Sequence, residues 1–105
     1  MTEIGVELPA KLEFAAVEGS YFSATLPDSS ALEFLFLKLE EVVSNSVQET
    51  FTLQFRAPIT APIAQGIYHL KHEKLGSVDL FLVPIKKAED GVYFEAVFNH
   101  FLAAP

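Results

Sequence analysis

From Thr50 to Arg56 polar and apolar residues alternate one for one, with Phe51, Leu53 and Phe55 on one side and Thr52, Gln54 and Arg56 on the other. That period of two predicts a strand with one face turned to a core. Three further strands follow over Ile67–His72, Ser77–Ile85 and Val92–Phe101, punctuated by the turns "EKLG" and "KKAEDG". Gly76 is free to take positive φ in the first turn, and Asp90-Gly91 is a hairpin signal in the second. Upstream, Ser20–Leu26 reads as a short strand closed by "PDSS", a turn built from Pro, Asp and Ser. "NSVQE" is a polar turn, and "APITAPIAQG" is an extended loop broken by prolines. Lys11–Ser20 predicts a short helical turn with Leu12, Ala15 and Ala16 on one face and Gly19 as its stop. Residues 1–9 form a loose lead-in interrupted by Pro9.

Ala31–Val43 fits two patterns. As a helix it has Ser30-x-x-Glu33 as a capping box and a stripe of Leu32, Leu35, Phe36, Leu39 and Val43. As a strand it sets Leu35, Leu37 and Leu39 against Leu32, Phe34 and Phe36. The helix leaves Phe34 and Leu37 outside its stripe, whereas a strand covered on both faces accommodates all of them. Taken as a strand, it brings the total to about six. Short connections make neighbours antiparallel. The expected fold is all-β: a small antiparallel β-sandwich or partly open barrel of about six strands with a short N-terminal helical turn, in one domain over residues 1–105.

The last two strands are apolar on both faces. Val92, Phe94, Ala96 and Phe98 share one side of the final strand, with Tyr93, Glu95, Val97, Asn99 and Phe101 on the other. Val78, Leu80 and Leu82 oppose Phe81, Val83 and Ile85 in the strand before it. One face fills the core. The other needs a cover, from the curled sheet, the N-terminal segment or another chain. Phe81, Val83, Tyr93, Val97 and Phe101 are the candidate interface residues; their alternative is a second layer of a closed core. Each such side chain is worth about 1.5–3 kcal/mol when buried, and several exposed together make a patch that soluble monomers seldom keep.

Composition sharpens this picture. With 105 residues the chain has room for one core, burying roughly 60–70% of its unfolded surface. Ten Phe, three Tyr and no Trp put aromatic packing at the centre of that core. The net charge of −7 disfavours nucleic acid, because the nearest approach to a basic patch, Lys86-Lys87, is followed by Glu89-Asp90. The absence of cysteine excludes disulfides, thiolate nucleophiles and cysteine zinc sites. "MTEIGVELPA" lacks the basic and apolar regions of a secretory signal, and no apolar run approaches the ~18 residues of a membrane helix. A soluble cytoplasmic chain is expected, without membrane association, and able to leave the cell within a larger assembly.

Catalytic chemistry finds little support. His69 and His72 fall on opposite faces of a strand and do not chelate one ion together; His100, Glu73 or Asp79 would have to join either of them. Both are expected at the surface. No serine lies in a Gly-x-Ser-x-Gly elbow, and no Gly-rich phosphate loop is present. Glu95, mid-strand between Tyr93 and Val97, is expected to pair with Arg56 or a lysine across the sheet. Arg56 ends its strand before a Pro-rich loop, where it can fork to a carboxylate or to loop carbonyls. An enzyme is not expected, nor is a cofactor or metal.

The ordered set "FTLQFRAP", "QGIYHLKHEKLG", "FLVPI" and "YFEAVFN" resembles a small bacterial family classed as a domain of unknown function, over about Leu12 to Asn99. Members of that family read Phe-Ser-Leu-Leu-Phe-Arg-Gly-Pro, Gln-Gly-x-Tyr-x-Leu-x-His, Leu-Gly, Phe-Leu-Val-Pro and Tyr-Glu-Ala-Val-Phe-Asn. The matching positions here are Arg56, Pro58, Gln65, Gly66, Tyr68, His72, Leu75, Gly76, Phe81, Pro84, Glu95 and Asn99. Ala57 replaces the usual glycine, Lys74 a small residue, and Phe94 shifts the Tyr-Glu pair. The resemblance implies a strand over Ala31–Val43. It also implies a link to tail-collar-type, phage-tail-like proteins, and hence a structural partner. The expected role is therefore non-enzymatic: a subunit, adaptor or chaperone of a tail-like or fibrous assembly, acting through protein–protein contacts as a homo- or hetero-oligomer. A small barrel holding an apolar ligand and an acidic inhibitor or immunity-type protein are the alternatives.

Overall fold

A computed structural model of the chain describes residues 11–45 and 48–101, apart from the side chains of Ser44, His100 and Phe101. The lead-in over residues 1–9 and Ser46 and Val47 of the polar turn lie outside the described residues. One helix, α1 (Lys11–Ala15), precedes six strands: β1 (Tyr21–Thr25), β2 (Ala31–Ser44), β3 (Gln48–Ala57), β4 (Gly66–His72), β5 (Gly76–Ala88) and β6 (Gly91–Phe101). All neighbours are antiparallel, and the sheet closes in a ring in the order β1-β2-β3-β6-β5-β4. The ring is irregular, since β1 and β4 close it through two residue pairs alone, Ser23–Lys71 and Ala24–Leu70.

The alternating pattern does what it predicts. Leu53, Phe55, Val78, Leu80, Leu82, Val92, Phe94 and Ala96 all point into the ring and are buried. Phe55 meets Phe22, Phe34 and Phe36 with ring centroids 5.6, 6.2 and 5.1 Å apart. The first two contacts are edge-on, the arrangement that sets the positive edge of one ring against the negative face of the other.

The segment that fitted both helix and strand is β2, with Phe34 and Phe36 wholly buried. Its faces are not the strictly alternating ones. The register with β3 slips between Phe36 and Lys38, so Leu37 is an extra residue. Such a bulge reverses the facing of everything after it. Leu39 therefore lies opposite the buried Leu53 and packs against the core, instead of sharing the outer side with Leu35.

Beyond Leu35, β2 outruns β1, and the turn after α1 takes over its free edge. The Gly19 amide donates to the Phe36 carbonyl at 2.7 Å, and the Phe36 amide to the Ser20 carbonyl at 2.9 Å. Glu18 accepts the Leu39 amide at 2.6 Å. The helix faces differ from the expected ones: Phe14 and Val17 are buried, while Leu12 is 77% exposed. A helix this short buries one ring at most, and Phe14 is the residue that reaches Phe36 and Phe98. Lys11 then pairs with Glu41 and, at 2.9 Å, with Glu49 on the extended hairpin.

In the ring β3 and β4 stand opposite each other, so residues 58–65 cross one end of it. Ala61 is buried there, and Tyr68 donates its hydroxyl to the Ala64 carbonyl at 2.6 Å. Two glycines are dictated by backbone. Gly76 turns β4 into β5 at φ 77°, as its place in "EKLG" predicts. Gly91 opens β6 at φ 145°, where a Cβ would lie 2.3 Å from the Ala57 carbonyl oxygen.

Phe55→Ala is expected to lower unfolding free energy by about 3–5 kcal/mol, read from urea unfolding followed by far-ultraviolet circular dichroism. A loss below about 1 kcal/mol would show that the rings do not pack as a unit.

Candidate functional site

The outer face holds the apolar residues that the core cannot take. Ile67 and Phe81 face each other across β4 and β5 and are 64% and 52% exposed. Val97 on β6 is 62% exposed. Between them the sheet splits. β5 and β6 pair from the Ala88–Gly91 end only as far as Val83–Glu95. Beyond that point β5 stays with β4 down to Gly76, and β6 stays with β3 down to Phe101. Two strand edges thus diverge around a cleft of about 520 Å³, whose walls include Phe81, Val83, Val97 and Phe98. Leu80 and Ala96 close its floor, at 3% and 2% exposure. Asp79 and Glu95 supply its charge, and none of its lining among the described residues is cationic. Asp79 is engaged by His69 at 2.9 Å. Glu95 is half-buried and forms no hydrogen bond or ion pair among the described residues.

The structure sorts the interface candidates. Phe81 and Val97 are on the open surface, outside any second layer of a core. Val83 is half-buried in the cleft wall. Tyr93 is also half-buried, with its hydroxyl on Asp90 at 2.7 Å and the Lys86 ammonium 4.5 Å from its ring centre. The Phe101 side chain lies outside the described residues. Ile67 is an apolar member that the sequence reading passed over; its alternation with the buried Leu70 through Tyr68 marks it as outward.

Among the family-marked residues, Arg56 does not reach Glu95. It stands opposite Tyr93 and contacts Asp90 at 3.4 Å, because the β5–β6 turn carries Asp90 back over β3. Glu95 instead faces Gln54 and Val83. Asn99 accepts from Gln48 at 2.9 Å and Thr50 at 2.8 Å. Pro84 faces Phe94 just before a bulge at Ile85, where its missing N–H interrupts no regular ladder. Pro58 and Gln65 are exposed in the crossing loop, and Gly66 opens β4.

His72 is buried at 8% exposure rather than lying at the surface. The reason is parity: with Tyr68 and Leu70 directed inward, the next residue but one follows them. Its ring rests on Phe22, 4.4 Å between centres. Nδ1 receives the amides of Lys74 at 2.9 Å and Leu75 at 3.2 Å. Backbone amides only donate, so Nδ1 carries no proton in this arrangement. Nε2–H then donates to Ser20 Oγ at 2.8 Å, and the Ser20 hydroxyl to the Val17 carbonyl. A base that activated Ser20 would need the opposite polarity. The pair works as a clamp tying the β4–β5 turn to the turn after α1.

What these features define is an antiparallel β ring filled with phenylalanine and split on its outer face by an apolar cleft. The chain belongs to the family described as Domain of unknown function (DUF6916), whose model matches residues 10–98. Neither a curated protein nor a solved structure matches the chain. Among the described residues no helix is long and apolar enough to cross a membrane.

Two outcomes check the geometry. In a double-mutant cycle Ser20→Ala and His72→Ala should couple by about 0.5–1.5 kcal/mol in urea unfolding, the worth of one internal hydrogen bond; additive effects would contradict the clamp. The Tyr93 hydroxyl, chiefly, holds the Asp90 carboxyl below its ordinary range, with Arg56 and Lys86 adding to it. A lowered folded-state value means stability that is present above the unfolded carboxylate's value and lost as pH falls through the folded one. Carboxyl-carbon NMR should show Asp90 titrating at higher pH in Tyr93→Phe than in the wild type. An unchanged midpoint would remove the hydroxyl as the cause.

Proposed function

We propose that this domain works by contact with another protein, as a subunit, adaptor or chaperone of a larger assembly. The observation that carries this reading is the pair Phe81 and Val97, both more than half exposed on either side of the β5–β6 split. Covering the exposed half of each would contribute about 1–1.5 kcal/mol. The interior offers the weaker case for a ligand, since Phe22, Phe34, Phe36, Phe55 and Phe94 fill it. The tail-like or fibrous character of the assembly rests on the motif resemblance alone.

Phe81→Lys and Val97→Lys should leave the urea midpoint close to wild type, because both side chains already face water. The same changes should release the partner that co-purifies with the wild-type protein from its native cell. They should also lower the complex mass measured by light scattering. Retention of that partner by both variants would count against the outer face as the working surface.

A further inference from the structure

We infer that the cleft between β5 and β6 accepts an extended segment of a partner protein as an added strand, apolar at alternate positions and carrying a lysine or arginine at the end that reaches Glu95. This deepens the contact function proposed above and rests on it.

Three observations define the occupant. First, the walls are strand edges. Among the described residues, β5 has a strand partner from Ser77 to Leu82 on its β4 side only, and β6 has one from Ala96 to Phe101 on its β3 side only. Unpaired edges are completed by another extended backbone, which donates and accepts along its whole length. Each free edge runs roughly 20 Å, at about 3.3 Å per residue. Second, Phe81 and Val97 flank that track on the outer face. Every other side chain of an added strand would stand beside them, so apolar residues are selected at alternate positions. Third, the charge is one-sided. Glu95 lies in an apolar wall without a partner among the described residues, and Asp79 is the other charged group of the lining. A carboxylate in such a place is best matched by a cation brought by the ligand. A second copy of this chain is disfavoured, since it would bring a net charge of −7 to an acidic rim.

The test selects random peptides of about eight residues, displayed on phage, against the complete chain, and maps the strongest binder by amide NMR. Enriched peptides are expected to alternate β-branched or aromatic residues with polar ones and to contain Lys or Arg. The binder should perturb the amides of Asp79–Val83 and Glu95–Asn99. Glu95→Gln should weaken it about tenfold without moving the urea midpoint. Backbone N-methylation of the peptide should abolish binding. Strand insertion is overturned if no binder emerges, if it maps elsewhere or if its apolar residues recur at helical spacing. It is equally overturned if N-methylation or Glu95→Gln changes nothing, or if the free protein proves to be a dimer that hides these amides. Should selection fail while Phe81→Lys still releases the cellular partner, face contact stands and strand insertion falls. Should that release fail as well, both readings fall.

Discussion

The contact of Phe55 with Phe22, Phe34 and Phe36 is the constraint on which the rest of the structure depends. Rings from β1, β2 and β3 meet at one point only if the sheet curls tightly enough to bring β1 round to β4. Once it curls, each strand has a single inward face. The volume inside is then taken up by phenylalanine, with Phe14 beneath the long β2–β3 hairpin and Tyr68 under the crossing loop. Aromatic residues suit this role because a few of them remove much apolar area from water while fixing few torsions. The remaining apolar residues have nowhere to go but outward.

The curl is possible because the strands bend at identifiable residues. Leu37, Val42 and Ile85 sit at register slips, and each slip adds twist where two strands would otherwise run flat. Pro84 precedes one of them. The divergence of β5 from β6 follows from the same demand. Short β4 can close the ring onto β1 only if β5 leans toward it, and in leaning it leaves β6.

Much of this was legible in the chain. Clean alternation located β3, and the apolar run after Asp90-Gly91 located β6, each to within two residues of its ends, and the turn residues located the hairpins. The helix-or-strand ambiguity of Ala31–Val43 could not be resolved by pattern, because the bulge at Leu37 breaks the period of two and spreads the apolar residues of β2 over both faces. Leu39 was misplaced because alternation counts residues, and a bulge adds one that only a partner strand reveals. His72 was misread from its polarity, although its spacing from Leu70 already pointed inward. Arg56 found Asp90 rather than Glu95 because the partner is chosen by how the turn folds back. Phe81 and Val97 were legible as two-faced apolar positions. The split beside them was not, because strand pairing is a property of the closed ring.

The same geometry that stabilises the interior therefore prepares the exterior. The two edges that β5 and β6 leave free among the described residues, the exposed Phe81 and Val97 beside them, and the carboxylate of Glu95, unmatched among those residues, lie within one cleft. The central claim is that this cleft is unpaired in the free protein. Amide hydrogen exchange on the isolated chain tests it most directly. β6 is bonded to β3 throughout, so its amides directed toward β3 should exchange slowly. Over Ala96–Asn99 the alternate amides, directed toward β5, should exchange orders of magnitude faster. Uniform slow exchange along that segment in a monomer would mean that the two edges are already joined, and the account would be wrong.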